Sequence, residues 1–170
     1  MDDHAASAPD ARDITYLRHA MHLALQAKAA GRHPFGAVVV SADGRILAEA
    51  GNNSNPPDGD PTQHAERVAA ALAAQRVAPS ELAQATLYTN AEPCAMCAGA
   101  IYWCNIGRVV YAMSEEKLLE LTGNHPENPT LQLPCRTVFA SGQRHVVVIG
   151  PVAELVDEAA APHRDFWQIL

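Results

Sequence analysis

The chain has 170 residues, 48% of them hydrophobic, and a formal net charge of −7. A chain of this length buries about two-thirds of its unfolded surface, so we expect residues 1–170 to form one domain. The acidic balance and the lack of a basic stripe argue against a nucleic-acid partner and favour a small-molecule substrate.

The first residues, MDDHAASAPDARD, are acidic and lack the basic-then-apolar order of a signal peptide. No run of apolar residues approaches the roughly 18 that cross a membrane. We therefore expect a cytoplasmic protein without membrane contact, whose four cysteines are reduced.

The first half of the chain predicts two helices and a hairpin. Asp13 and Gly31 bracket the first helix as its N-cap and its stop, and its apolar stripe consists of Ile14, Leu17, Met21 and Leu25. Strands at 36–40 and 45–50 flank an Asp-Gly turn, which is a strong hairpin signal. After a loop at 51–61, Asp60 is predicted to cap a second helix that runs to about Val77.

The second half alternates strands and helices. We predict strands at 86–89, 108–112 and 145–149, helices at 94–104 and 114–121, and a loop at 123–130. A core at about 12–150 is followed by a helical tail at 151–170, interrupted at Pro162. Such alternation is typical of an α/β fold built as a three-layer sandwich.

One histidine and two cysteines have the spacing of a metal site. Cys94 and Cys97 lie on one face of a predicted helix start, which favours the thiolate form, and His64 lies in the first turns of another helix. Together they match a catalytic zinc set with three protein ligands and one open position. A redox pair and a closed structural zinc site are the alternatives. Cys104, about 10 Å along the helix from Cys97, is too distant to be a fourth ligand, and with Cys135 it is interpreted as a core or incidental thiol.

Glu66 lies two residues after the predicted histidine ligand. Two positions apart on a helix normally diverge by about 200°, so both side chains serve one site only if the metal lies beyond the helix end. The combination of His-x-Glu with Pro-Cys-x-x-Cys is the pattern of zinc nucleobase deaminases, in which the glutamate is a general acid/base and not a ligand.

At these motifs the chain resembles the cytidine/deoxycytidylate deaminase superfamily, and most of all its guanine deaminases. The resemblance covers roughly residues 14–130 and rests on PFGAVVV, GNN, DPTQHAE and LYTNAEPCAMCAGAIYW. It implies an α/β/α sandwich around a central five-stranded mixed sheet, a Zn²⁺ cofactor, a homodimer, and hydrolysis of guanine to xanthine and ammonia.

The resemblance also implies five substrate contacts. Phe35 and Trp103 would enclose the faces of the base, Asn52 would hydrogen-bond it, and Glu127 would read its amino and ring N–H edge. The backbone N–H of Ala65 would meet the base as well. The first four have structural alternatives: Phe35 and Trp103 as core, Asn52 as a turn residue and Glu127 as a solvated loop charge. Guanine deaminases exchange a C-terminal segment between subunits and close the site with an aromatic residue. The resemblance therefore implies that the tail contacts the partner subunit and that Phe166 or Trp167 is a candidate to close the site.

Three other functions remain open. A tRNA adenosine deaminase would share the zinc core but would favour a basic surface, and another small ring such as cytosine, guanosine or an aminotriazine would fit the same motif. A catalytically silent zinc-binding module would bind metal without releasing ammonia. His125, beside Glu127, is a weaker candidate for substrate contact, and the remaining histidines are interpreted as surface or core: His4, His19, His22, His33, His145 and His163.

Overall fold

A computed structural model of the protein describes residues 8–168. At its centre is a five-stranded mixed sheet in the order β2-β1-β3-β4-β5. The strands are β1 (Gly36–Val40), β2 (Ile46–Gly51), β3 (Thr86–Ala91), β4 (Arg108–Met113) and β5 (Val147–Ile149). β1 is antiparallel to β2 and β3, whereas β3, β4 and β5 are parallel. The predicted five-stranded mixed sheet and the predicted hairpin are confirmed.

Helices cover both faces of the sheet. They are α1 (Ala11–Ala29), α2 (Ala65–Arg76), α3 (Pro79–Leu82), α4 (Ala95–Trp103), α5 (Glu115–Thr122), α6 (Cys135–Ala140) and α7 (Val156–Ala160). α1 and α7 pack on one face, and α2, α4 and α6 form the layer on the other. The three-layer arrangement expected from the alternating elements is therefore present.

Successive side chains of a β-strand point to opposite faces of the sheet, so they pack alternately against the two helix layers. In β1, Val39 belongs to the core under α2, while Val38 and Val40 belong to the core under α1. All five residues of β1 are buried, as expected for a strand covered on both faces. This burial explains the uninterrupted apolar run GAVVV.

The first helix begins earlier than predicted, and Asp13 is not its N-cap. Asp10 is the N-cap and accepts a hydrogen bond from the Asp13 N–H, while Asp13 accepts one from the Asp10 N–H. This reciprocal capping box places Asp13 inside the first turn. Its buried carboxylate forms a bidentate ion pair with Arg108, with both N···O distances at 2.7 Å.

The second helix begins five residues later than the predicted cap, so the assignment of Asp60 as its N-cap is wrong. The Asp60 carboxylate instead accepts hydrogen bonds from the N–H and hydroxyl of Thr62, which closes a local turn. The N-cap of α2 is His64. His64 and Glu66 consequently both lie at the helix end, which is the arrangement that a shared site requires.

Two parts of the C-terminal third differ from expectation. No element was predicted at 131–144, yet α6 forms there, and the Cys135 N–H at its start donates to Glu92 Oε1 at 3.0 Å. The tail consists of short pieces, with 3₁₀ turns at Ala153–Leu155 and Ala161–His163 around α7. Among the described helices, none combines the length and apolar character needed to cross a bilayer.

Candidate active site

The three predicted metal ligands meet at the starts of two helices. His64 is the N-cap of α2, Cys94 is the N-cap of α4, and Cys97 lies in the first turn of α4. Their ligand atoms lie within 4.8 Å of one another, and Cys94 Sγ is 3.6 Å from His64 Nδ1. Tetrahedral zinc bonds of about 2.0–2.3 Å separate ligand atoms by about 3.5–4 Å. The donor set therefore fits Zn²⁺.

The ligands are electrostatically unequal. A hydrogen bond from Cys97 and another from His64 lower the pKa of the Cys94 thiol to about 4. The hydrogen bond between Cys97 and Cys94, together with burial, holds the pKa of the Cys97 thiol well above its usual range. The hydrogen bond with Cys94 also raises the pKa of His64. The protein thus offers one ready thiolate, and metal binding must release the remaining protons.

Glu66 lies beside the three predicted ligands and is not part of their cluster. Its side chain is buried, Oε2 is 3.8 Å from Cys97 Sγ, and Oε1 is 3.2 Å from the hydroxyl of Thr89. Burial raises the pKa of Glu66 to about 7. A carboxyl in this position with a pKa near neutrality suits proton transfer in both directions.

A cavity of about 610 Å³ opens onto these residues, with His64, Glu66 and Cys94 in its wall. Three of the predicted substrate contacts, Phe35, Asn52 and Glu127, also line it. The Oδ1 atom of Asn52 accepts hydrogen bonds from the N–H of Ser54 at 2.9 Å and from its hydroxyl at 2.8 Å. The Nδ2 group makes no hydrogen bond within the described residues, so it is a donor available to a ligand.

The three donors are placed to hold one metal ion, and the comparison with a known family agrees. Residues 10–113 match the model of the cytidine and deoxycytidylate deaminase zinc-binding region. The chain belongs to this deaminase family. A probable cytosine deaminase of Schizosaccharomyces pombe is 41% identical over 156 residues, which cover 92% of this chain and 93% of that protein.

Two further relatives act on other bases. Guanine deaminase of Bacillus subtilis is 46% identical over 99 residues, covering 58% of this chain and 62% of its own. The tRNA-specific adenosine deaminase of Haemophilus influenzae is 40% identical over 113 residues, covering 66% and 65%. The chain is therefore a deaminase of a nucleobase or nucleoside, and these relatives differ in which one.

Solved structures of similar fold include a guanine deaminase and a protein bound to a diaminopurine. The guanine deaminase of Nitrosomonas europaea superposes with a TM-score of 0.73 at 25% identity, covering 96% of this chain and 88% of that chain. The structure of NE0047 in complex with 2,6-diaminopurine has a TM-score of 0.73 at 27% identity, covering 94% and 83%.

Two of the predicted substrate contacts do not line the cavity of this deaminase. Trp103 is the last residue of α4 and is 77% exposed, packed edge-on against Tyr102. It lies six residues beyond Cys97, about 9 Å along the helix, which carries it away from the metal end. Ala65 is fully buried as the first residue of α2, so its predicted contact through the backbone N–H stays a prediction.

Sequence reasoning missed two acids near the metal ligands. Glu92 accepts backbone hydrogen bonds from Glu115 and Cys135, each at 3.0 Å, and so joins the starts of α5 and α6. The side chain of Glu115 lines the cavity, where burial and the negative charges of Cys94 and Glu66 raise its pKa to about 7. The position of Glu92 directly before the Pro-Cys motif is the signal by which it could have been found.

Within one chain, the tail supports the cavity wall from outside, and closure by a tail exchanged between subunits stays a prediction. Neither Phe166 nor Trp167, the two predicted closing residues, is part of its lining. Trp167 is buried, with its ring centre 4.9 Å from that of His33 and 5.2 Å from that of His125. His125 accepts a hydrogen bond from the Glu127 N–H and is likewise outside the lining.

Proposed function

We propose that this deaminase hydrolyses guanine to xanthine and ammonia, with zinc held by His64, Cys94 and Cys97. The observation that supports it best is the polarity of the cavity wall, where Asn52 offers an amide donor and Glu127 a carboxylate acceptor. Guanine carries a carbonyl acceptor and ring N–H donors, which are complementary to these two groups. The complex of the similar protein NE0047 with a diaminopurine supports a purine substrate as well.

When bound, zinc supplies Lewis-acid activation of a water molecule. Glu66 then takes a proton from the water and delivers it to the ring nitrogen beside the amino-bearing carbon. The water oxygen bonds to that carbon, and Glu66 takes the second proton from this oxygen and gives it to the amine. The C–N bond then breaks as the new carbonyl forms, so one buried carboxyl transfers both protons. Phe35 packs against the base, and the walls around it exclude bulk water.

Cytosine is the second candidate substrate. The probable cytosine deaminase matches nearly the whole chain at 41% identity, and cytosine also combines a carbonyl acceptor with a ring N–H donor. Deamination of adenosine in tRNA is less suited to this chain, because a net charge of −7 repels a phosphate backbone.

A cytoplasmic homodimer is part of the same proposal. The exposed indole of Trp103 supports it, since tryptophan is enriched at protein–protein interfaces. Sedimentation analysis of the wild type should report a dimer, and Trp103→Ser should weaken it. A wild-type monomer at micromolar concentration would contradict the dimer.

An ammonia-release screen tests the function. Zinc-loaded protein is given guanine, guanosine, cytosine, adenine, ammeline and a tRNA anticodon stem, and we expect the highest kcat/KM with guanine. Glu66→Gln should keep zinc and lose turnover, while Glu154→Gln, at an exposed position, is the matched control. Preference for cytosine or for the stem would select that alternative, and bound zinc without ammonia from any substrate would indicate a silent module.

A further inference from the structure

A continuous chain of hydrogen bonds joins the two groups that would read the base. Glu127 Oε2 lies 2.8 Å from His33 Nε2, and His33 Nδ1 lies 3.3 Å from the Ser54 hydroxyl. That hydroxyl is 2.8 Å from Asn52 Oδ1. Although 94 positions separate His33 from Glu127 in the sequence, the imidazole bridges both sides of the cavity.

The hydrogen positions along this series of hydrogen bonds can be assigned from the groups at its two ends. Asn52 Oδ1 is an acceptor, so the Ser54 hydroxyl donates its single hydrogen to it and offers only lone pairs to His33. The Glu127 carboxylate is also an acceptor. All the contacts are satisfied only when both ring nitrogens of His33 carry hydrogen, which makes the ring a cation between two acceptors.

Packing holds the ring of His33 in this place. Its side chain is 8% exposed, and the rings of Phe166 and Trp167 lie 5.9 and 4.9 Å away, centre to centre. Glu127 is much more accessible, with 55% of its side chain exposed. The buried ring therefore orients the loop carboxylate more than the carboxylate orients the ring.

We propose that His33 is a positioning residue that sets the polarity of both base-reading groups. It holds Glu127 as an ionised acceptor and, through Ser54, keeps Asn52 turned with its amide hydrogens toward the cavity. The site then selects aminoheterocycles that have a hydrogen-bond acceptor and an N–H donor on their edges away from the scissile amine. This inference rests on the proposed function. Consistent with it, the hydrogen bond from His33 lowers the pKa of Glu127.

A double-mutant cycle separates positioning from general stabilisation. We expect His33→Leu and Glu127→Gln each to raise KM about tenfold or more, with a smaller change in kcat, because each removes a charge-assisted contact. The double variant should be worse than Glu127→Gln alone, because the path through Ser54 to Asn52 is also lost, but by less than the product of the two single losses, because His33 acts partly through Glu127. His33→Gln, which keeps one donor, should recover part of the loss.

His145→Leu is the control, because His145 is exposed and outside the cavity lining. It should leave KM unchanged. Losses that multiply in the double variant, or a loss in kcat alone, would overturn the positioning role.

A spectroscopic readout tests the same inference without turnover. In zinc-loaded protein with isotope-labelled histidine, both ring nitrogens of His33 should be protonated at neutral pH, and Glu127→Gln should leave only one protonated. A neutral wild-type ring would refute the inference. If the ring is a cation but no substrate releases ammonia, the proposed function fails while the polarity assignment stands.

Discussion

The hydroxyl of Thr89 lies 3.2 Å from Oε1 of Glu66 at the buried wall of the cavity. The same hydroxyl lies 3.2 Å from the carbonyl oxygen of Ala91. It donates to Glu66 when that carboxyl is ionised, and it can accept from Glu66 and donate to Ala91 when the carboxyl is protonated. Thr89 can therefore satisfy Glu66 in both states of a proton-transfer cycle.

Replacing this hydroxyl should slow turnover. Thr89→Val keeps the shape but removes the partner of Glu66, so we expect kcat to fall about tenfold and KM to change less than about threefold. Steady-state ammonia release with the best substrate measures both, alongside zinc content. Thr137→Val, at an exposed position outside the cavity lining, is the control. Unchanged kcat in Thr89→Val would show that Glu66 does not depend on this contact.

Zinc binding should depend on His64 and Cys97 but not on Cys104. The first two supply ligand atoms of one cluster, whereas Cys104 is the C-cap of α4, outside that cluster. We expect His64→Ala and Cys97→Ala to lose zinc on dialysis and Cys104→Ala to keep about one ion per chain. Elemental analysis gives the metal content. A chelator should lower Tm of the wild type, because the metal stabilises only the folded state.

The ion pair between Asp13 and Arg108 should stabilise the folded state at neutral pH and lose this effect in strong acid. Burial by itself would raise the pKa of Asp13, but the hydrogen bonds from Arg108, Asp10 and Tyr88 outweigh it and lower the pKa below 3.8. The Asp13 carboxyl therefore binds a proton less tightly in the folded state than in the unfolded state. Its contribution is present above pH 3.8 and is lost as the pH falls through the lower folded pKa.

Asp13→Asn should therefore reduce the free energy of unfolding by about 3–5 kcal/mol at neutral pH, since Arg108 loses its buried partner. The deficit should shrink in acid, as measured by urea unfolding at both conditions. Asp157→Asn removes an exposed ion pair with Arg164 and should change stability by less than about 1 kcal/mol. Equal effects of the two substitutions would contradict this account.

Acid should loosen the tail through His163. This ring is fully buried, accepts a hydrogen bond from Trp167 Nε1 at 2.9 Å, and has its pKa lowered from 6.5 to about 3 by burial. Because the unfolded state takes up the proton first, stability is lost as the pH falls from 6.5 toward 3. The full effect has a ceiling of about 4–5 kcal/mol.

His163→Asn should flatten the dependence of Tm on pH over that range, whereas His145→Asn should not. Thermal unfolding in a series of buffers measures both slopes. Parallel slopes for wild type and His163→Asn would place the acid sensitivity elsewhere. Hydrogen exchange at the tail amides then locates the segment that opens first.

Parts of the fold with a local signal were predicted from the sequence. The hairpin follows from an Asp-Gly turn between two apolar runs, and the five strands were recognised from their composition. Element boundaries were less secure where two local signals competed. Asp60 has the position of a helix cap, but its carboxylate closes a turn with Thr62, and the helix begins at His64. The role of Asp60 depends on which backbone N–H groups the folded loop brings within hydrogen-bond distance of its carboxylate.

For the site, the sequence by itself determined the chemistry, namely one imidazole, two thiols and an acid in a motif whose spacing places them at helix starts. Only the tertiary structure decided which other side chains face the cavity. It placed Trp103 outside the cavity, placed Glu115 in the cavity wall, and paired His33 with Glu127. The physical reason is distance along the chain: motif contacts follow from helical geometry over a few residues, while the His33–Glu127 pair exists only after the layers and the tail have packed.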